Sequence, residues 1–316
     1  MKIIKPSHEI LKTNADPLLT IETAGRLCYK SEANITPESA EKFVRNLTQR
    51  QHYAMLEHAT VYFIMDDAAY RMLCEAFDGK DVDRYIRMSP AVGSTPALVS
   101  GNVRAWYELL LSFSEEGWAI IDAIANRLKL RMPAVFGDLS TTRDFTLVYD
   151  ISEEELLDRF AHRPDIIRHH RRISVKFICD RGVTHEFVRH RDASFAQEST
   201  RYCTYSKGQF GGEITVIEPL FFELGSPRYA SWKRSCETAE KEYMELLSLG
   251  AQAQEARSVL PNSLKAELLI TATEEEWQHI CNLRAKGTTG APHPQMKEIM
   301  YPAYQVLVRY TDGRIE

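Results

Sequence analysis

Between Arg189 and Tyr202 the sequence runs Arg-His-Arg-Asp-Ala-Ser-Phe-Ala-Gln-Glu-Ser-Thr-Arg-Tyr, which gathers three arginines, one histidine, two serines and a tyrosine within fourteen residues. Guanidinium groups bind phosphate through paired hydrogen bonds and stay charged at any working pH. Serine hydroxyls and backbone N–H groups can complete such a pocket. Gln197 can both donate and accept, which suits the edge of a pyrimidine. Residue chemistry alone therefore points to a nucleotide-phosphate site. The plain alternative is a solvated basic helix followed by a turn, because charge runs usually cover exposed faces.

Other chemistries fit less well. His185 and His190 are five apart, the wrong spacing for one helical face, and no cysteine pairs with them, so no metal site is expected. An RNA-binding reading could use Arg168-His-His-Arg-Arg172 with Arg189-His-Arg191. The formal net charge of -5 and the lack of an aromatic base-stacking motif argue against a nucleic-acid partner. The six cysteines form no C-x-x-C pair, which indicates free thiols in a reducing compartment. No apolar run reaches bilayer length and no secretory leader is evident, so a cytoplasmic protein without a membrane partner is expected. Hydrophobic residues make up 44% of the 316, ample for a core and comfortable for two domains.

The elements that must carry these residues follow from spacing. Helical periodicity covers Pro17 to Lys30, and Thr36-Pro37-Glu38 opens a second helix. The β-branched and aromatic run from Leu56 to Met65 predicts a strand. Gly79, Pro90, Gly93 and Pro96 predict loop over 78–99. Helices follow near Val103–Phe113 and Trp118–Leu130, and Ser152 with Glu155 forms a capping box for a helix ending near Phe160. Polar Ala161 to Arg172 is the candidate boundary between halves 1–165 and 166–316. The second half opens with a strand, Ile173 to Cys179. A helix from Thr184 carries His185 to Arg191, and 213–217 is a further strand. Ser226-Pro227 starts a long helix to Leu249, and Leu264 to Ala272 is strand-like. Thr273 with Glu276 repeats the capping box before a helix through Leu283, and the last helix spans Pro294 to Tyr310.

The halves echo each other. Val61-Tyr-Phe-Ile-Met-Asp66 matches Val175-Lys-Phe-Ile-Cys-Asp180, and Leu98 to Trp106 matches Leu269 to Trp277, in the same order. Two short matches in order suggest an internal duplication, with chance as the rival.

The spacing R-H-R-x-x-S followed by S-x-R-Y resembles the signature of flavin-dependent thymidylate synthases. Glu57-His58 before a strand, His185-Glu186 upstream of Arg189, Ala256-Arg-Ser-Val-Leu-Pro261 and Asn282-Leu-Arg-Ala285 resemble further elements of that family, in its order. The resemblance covers His58 and most of 173–305, and makes 66–172 an insertion. It implies an α+β fold with a central, mostly antiparallel sheet flanked by helices, adopted for both halves as two degenerate copies. It implies methylation of dUMP to dTMP, with methylene-tetrahydrofolate as carbon donor, FAD as hydride carrier and NADPH as reductant. No cysteine nucleophile is implied, so Cys203 is a bystander. Carried over position by position, Glu186, Arg189, Gln197, Ser199, Arg201, Arg257 and Arg284 would hold dUMP, with Arg284 and Ser199 at the chemistry. A fixed charge at Arg284 would stabilise negative charge developing on the pyrimidine. His58, Arg189, His190, Arg191 and His279 would contact FAD.

One element departs from the family. Where its last helix opens N-x-R-x-W-x-H, this chain reads Thr273-Glu-Glu275-Glu-Trp277-Gln-His279. The missing pattern stands in the first half as Asn102-Val-Arg104-Ala-Trp106, while that half has nothing like Arg189 to Tyr202. The expectation is that Asn102 and Arg104 supply the flavin contacts, each copy keeping part of the site. A homodimer would then mimic the family's tetramer. A degenerate homologue that binds nucleotide or flavin without synthase activity is the alternative.

Overall fold

The computed structural model describes residues 1–113, 116–141, 148–206 and 211–316. Its strands are β1 (Lys2–Ile4), β2 (Ser7–Leu11), β3 (Thr60–Met65), β4 (Arg87–Ser89), β5 (Ala97–Asn102), β6 (Tyr149–Ile151), β7 (Arg172–Asp180), β8 (Ser194–Gln197), β9 (Thr215–Ile217) and β10 (Lys265–Thr273). Two four-stranded antiparallel sheets, ordered β4-β5-β3-β6 and β2-β7-β10-β8, dominate the architecture, and β1 pairs with β9 in parallel. The protein is thus α+β, with antiparallel sheets flanked by helices.

Side-chain alternation explains the layering. Val61, Phe63 and Met65 point into a core with Val99, Trp106 and Leu73, whereas Tyr62 on the opposite face packs with Leu98, Leu156 and Ile167. In the second sheet Val175, Phe177, Leu268 and Ile270 meet Trp277 and Met300, while Leu269 and Ala196 face Ala24 and Leu27 of the helix Pro17–Tyr29.

The two matching stretches occupy matching places. Asp66 directly follows β3 and Asp180 ends β7, and each carboxylate caps the helix that follows, accepting from Ala69 N and Val183 N. β5 ends at Asn102 and β10 at Thr273, again both helix caps, accepting from Ala105 N and Glu276 N. Val61 stands opposite Gly101, while Val175 stands opposite Ile270, so the second ladder is shifted by two residues relative to the first. A two-residue shift preserves which face each side chain takes. β1 and β2 cross to the second half, where they pair with β9 and β7.

Several elements differ from the sequence-based expectation. Leu56 to His58 lie in the 3-10 turn Tyr53–His58, so the strand begins only at Thr60. The segment 78–99, expected as loop, contains β4 and the start of β5; Pro90 and Gly93 belong to the hairpin between them. The helix expected over 184–191 is Arg181–Phe187, because Asp180 caps it, and Arg189 to Arg191 follow it as turn and loop. The polar segment 161–172 forms a helix, Pro164–His170, whose apolar side, Ile166 and Ile167, packs under the first sheet. The second helix starts at Ser39 rather than Thr36. The capping box at Ser152 forms in full, whereas at Thr273 only the Thr-to-Glu276 N half forms.

Candidate active site

Of the candidate residues, Asn102 and Gln197 end strands, Ser199 and Arg201 lie in the turn after β8, and Arg104, Glu186, His279, Arg257 and Arg284 ride on helices or helical turns. Arg284 lies in a π-helical turn, Asn282–Lys286, closed by Gly287 at φ 73. Such turns widen the helix and re-aim side chains, and they recur at functional sites. Arg284 Nη1 donates to Glu186 Oε2 at 2.8 Å, Nη2 to the Glu186 carbonyl at 3.1 Å, and Nε to His190 Nε2 at 3.2 Å. The π turn, the helix Arg181–Phe187 and the signature stretch are thereby tied together.

His190 continues this chain. Its Nδ1 lies 3.6 Å from Glu276 Oε1, and its ring meets His279 edge-on at 5.9 Å. Ligand atoms of His190, Glu276 and His279 all fall within 4.8 Å of one another, a metal-sized cluster that sequence spacing does not reveal. Arg284 assigns His190 differently. Accepting at Nε2 places the ring proton on Nδ1, towards Glu276, and a guanidinium stands against the same ring. Glu186, Arg284 and His190 are hydrogen-bonded to one another in that order, and Glu276 stands within ion-pair range of His190.

A second group lies around the turn after β8. Arg201 N donates to Ser199 Oγ at 3.2 Å, Arg201 Nε to Gln254 Oε1 at 3.1 Å, and Arg257 Nη1 reaches Thr200 Oγ1 at 3.5 Å. Arg201 and Arg257 are exposed and form no ion pair with a carboxylate among the described residues. Two unneutralised guanidinium groups beside hydroxyls can bind a phosphate dianion bidentately. Gln197 joins the two groups: its Nε2 donates to Thr184 Oγ1 at 3.0 Å, two residues before Glu186, while its own chain leads to Ser199 two residues on.

The third grouping crosses the halves. Asn102 and Arg104 line a groove of about 870 Å³ together with His190 and Arg191, and with Glu57, Tyr85 and Phe195. Asn102 is fully buried; its Oδ1 caps Ala105 N at 2.8 Å, and its Nδ2 has no partner among the described residues. Arg104 is held by Glu57 and Glu108, each at 2.8 Å. Glu275, where the resemblance expects an arginine, turns to His169 at 2.9 Å. Arg189 is exposed and makes no hydrogen bond or ion pair among the described residues.

His58 is not in that groove. It lines a separate cavity of about 420 Å³ with Arg172, Tyr62, Ser174 and Tyr310. His58 Nδ1 lies 2.7 Å from Thr271 Oγ1, and Nε2 has no partner among the described residues. Burial, and then the nearby Arg172 charge, push the imidazole down to about 3, so it is neutral. Arg172 was missed by sequence reasoning. Its guanidinium donates to Ser194 Oγ and the Thr271 carbonyl, both at 2.8 Å, and stacks over Tyr85 at 4.9 Å. Tyr85 lines the groove, so Arg172 is the physical link between the cavity and the groove. The only sequence signal was its place in a basic run directly before a strand.

Residues 9–78 and 143–308 match the model of the thymidylate synthase complementing protein family, well over half of the chain. The chain belongs to that family. Flavin-dependent thymidylate synthases are among its relatives: that of Pyrococcus abyssi is 32% identical over 106 residues, 34% of this chain and 43% of that protein. The enzyme of Geobacter sulfurreducens is 30% identical over 104 residues, 33% of this chain and 43% of that protein. The chain therefore spans less than half the length of the curated relatives it matches. A UMP/dUMP methylase PolB from Streptomyces cacaoi, solved with 5-Br dUMP, aligns over 98% of this chain and 93% of its own at 14% identity and a TM-score of 0.41, too distant to bear on the site. The family match breaks only between 78 and 143, so the inserted segment is shorter than the expected 66–172. Asn102 and Arg104 lie inside that break, and their part in the site rests on geometry.

The flavin of the family needs donors for its phosphates. The groove offers the orphaned Asn102 Nδ2 and the exposed Arg191, which suit them. Arg104 suits them once it exchanges a carboxylate for the ligand. No helix among the described residues is long and apolar enough to cross a membrane.

Proposed function

We propose that this chain is a flavin-dependent thymidylate synthase that methylates dUMP to dTMP. Methylene-tetrahydrofolate would be the carbon donor, reduced FAD the hydride donor and NADPH the reductant. The observation that carries the reading is the shared groove: Asn102 and Arg104 from one half line it with His190 and Arg191 from the other, and His190 is hydrogen-bonded to Arg284.

Bound FAD would supply the redox chemistry that no side chain here can perform. The chain's own residues bind, orient and polarise. Ser199, Arg201 and Arg257 take the phosphate of dUMP, and Gln197, Glu186 and Arg189 complete the nucleotide site. Arg284 stands at the pyrimidine, where its fixed charge stabilises negative charge as it develops. Ser199, expected at the chemistry, acts here from the phosphate end, which leaves Arg284 as the group at the reacting ring. Asn102, Arg104, Arg189, His190 and Arg191 hold the flavin, with His279 beside His190 at its flank; His58, in its own cavity, is not among these contacts. The halves 1–165 and 166–316 are read as fused, degenerate copies, and a homodimer as the counterpart of the family's tetramer.

Purified protein is tested by visible absorption with added FAD, then by anaerobic NADPH and dUMP. A bound flavin that bleaches with NADPH, and whose oxidised spectrum shifts with dUMP, is the expected result. Tritium release from labelled dUMP in the presence of folate then measures turnover. The two carboxylates on Arg104 favour the alternative, a nucleotide-binding homologue without activity. Flavin and dUMP binding without tritium release would select that alternative.

A further inference from the structure

Next to the Ser199–Arg201 turn runs a row of alternating charges, buried at Glu198 and Glu267 and partly exposed at Lys265, Lys30 and Glu32. Glu198 is 1% exposed, and its carboxylate accepts from Lys265 Nζ at 2.7 Å. The same ammonium donates to Glu267 Oε1 at 2.9 Å, and Lys30 Nζ reaches that oxygen at 2.8 Å and Glu32 at 2.9 Å. Tyr205 OH adds a contact to Glu198 at 3.4 Å. Although burial pushes Glu267 up, Lys265 and Lys30 hold it down to about 2, so the row stays ionised.

The row is anchored at both ends. Lys265 is the first residue of β10, and Lys30 caps the helix Pro17–Tyr29 in the left-handed region at φ 52. The backbone of the turn is fastened to the same two supports. Glu198 N donates to the Glu267 carbonyl at 2.8 Å, and Ser199 N to the Cys28 carbonyl at 3.0 Å. Alternation along β8 buries Ser194 and Ala196, and Glu198 continues that inward face. An apolar side chain there would satisfy burial without fixing direction. A carboxylate bonded to an ammonium fixes both the height and the rotation of the chain just before Ser199, at the cost of desolvating the pair.

We propose that Glu198 and Lys265 are positioning residues that set the Ser199–Arg201 turn for the dUMP phosphate without touching it. The proposal rests on the reading of Ser199, Arg201 and Arg257 as the phosphate clamp. Its mark is a split between binding and turnover, because the reacting end of the nucleotide lies at Arg284.

The experiment compares Lys265→Met, Lys265→Arg and Arg201→Ala in the FAD-loaded, full-length protein, measuring KM for dUMP, kcat at saturating dUMP and dUMP affinity by titration. Lys265→Met is expected to raise KM about tenfold with kcat within about twofold of wild type, as a misplaced binding group does. Lys265→Arg, which keeps the charge pair, is expected to recover most of the affinity. A folded Lys265→Met protein with wild-type KM overturns the proposal, as does equal loss of kcat and affinity. Should Lys265→Met fail to fold, Glu198→Leu with Lys265→Met removes both charges of the pair and restores the core. Weak dUMP affinity in that folded double variant supports the proposal, and wild-type affinity overturns it. Arg201→Ala separates the two levels: unchanged dUMP affinity there defeats the clamp reading itself, whatever Lys265 does.

Discussion

Arg284 donates twice to Glu186, at 2.8 Å to the carboxylate and 3.1 Å to the main-chain carbonyl, so the cation proposed for the pyrimidine is already oriented by a carboxylate. Orientation before binding is what makes a fixed charge effective, since no reorganisation is then needed as charge develops. A lysine keeps the charge but loses the fork and the third bond, at 3.2 Å to His190. Arg284→Lys is therefore expected to lower kcat by about 10²- to 10³-fold, the range for one lost charge-stabilising donor, while the phosphate end still binds. Steady-state tritium release decides it. A variant with wild-type kcat would remove Arg284 from the chemistry.

The flavin contacts of the first half are open to a narrower test. Asn102 has two jobs that can be separated: Oδ1 caps the helix Val103–Ser112, and Nδ2 is a buried donor at the groove with no partner among the described residues. Threonine, the residue at the matching cap Thr273, keeps the first job and drops the second. Asn102→Thr should leave the melting temperature nearly unchanged and weaken FAD by about five- to tenfold, the worth of one neutral hydrogen bond. Arg104→Ala should weaken FAD further, because Glu57 and Glu108 would then face the phosphates uncompensated. FAD titrations that are unchanged for both variants would end the idea that the two halves complement each other.

How far the sequence discloses this site depends on what holds each residue. Elements with strong end signals are legible: Ser226-Pro227 starts a helix as expected, and Ser152 with Glu155 forms its box, because capping is local chemistry. The antiparallel sheets also follow from pattern and resemblance, and Asn102 lines one groove with His190 and Arg191 of the Arg-His-Arg stretch, though not with Arg189. What is not legible is set by long-range contacts. Residues 87–89 read as loop because a three-residue strand has no periodicity; it exists because β5 offers an edge. Arg172 looks like one arginine in a polar run, and only the fold reveals it buried between Ser194, Thr271 and Tyr85. His58 was grouped with the flavin residues by resemblance, yet the fold gives it a cavity of its own.

That burial of His58 has a consequence in acid. Burial, with Arg172 nearby, lowers its imidazole to about 3, and His170 is also held well below its ordinary value by burial. In the unfolded chain both return to about 6.5. Between these limits the unfolded state binds protons that the native state refuses, so stability falls as pH drops from about 6.5 towards 3. Each histidine contributes a slope of up to about 1.4 kcal/mol per pH unit. Glu267, held down to about 2, adds to the loss as pH falls below the ordinary glutamate value of about 4.3. Urea unfolding at stepped pH should show this, and His58→Gln should remove one proton's share of the slope. An identical slope in His58→Gln would mean that the imidazole is protonated in the native state.

Strand crossing makes a prediction about cutting the chain. The first sheet keeps all four strands within residues 1–165, but the second draws β2 from the N-terminus, and β9 draws β1. A fragment 166–316 would expose the β7 edge from Ser174 to Ile178, the residues that pair with β2. It would also uncover Leu269 and Ala196, which face Ala24 and Leu27. A long unpaired edge beside an uncovered apolar face drives association. The fragment alone should therefore aggregate, whereas co-expression with 1–165 should give a soluble, stoichiometric pair by size-exclusion chromatography. Because β2 and the helix Pro17–Tyr29 both lie in 1–165, they can return to their places without a covalent link, at the entropic cost of association. A soluble 166–316 fragment that unfolds cooperatively on its own would mean that the second half needs neither the borrowed strands nor the helix. The interlocked description of the two halves would then fail.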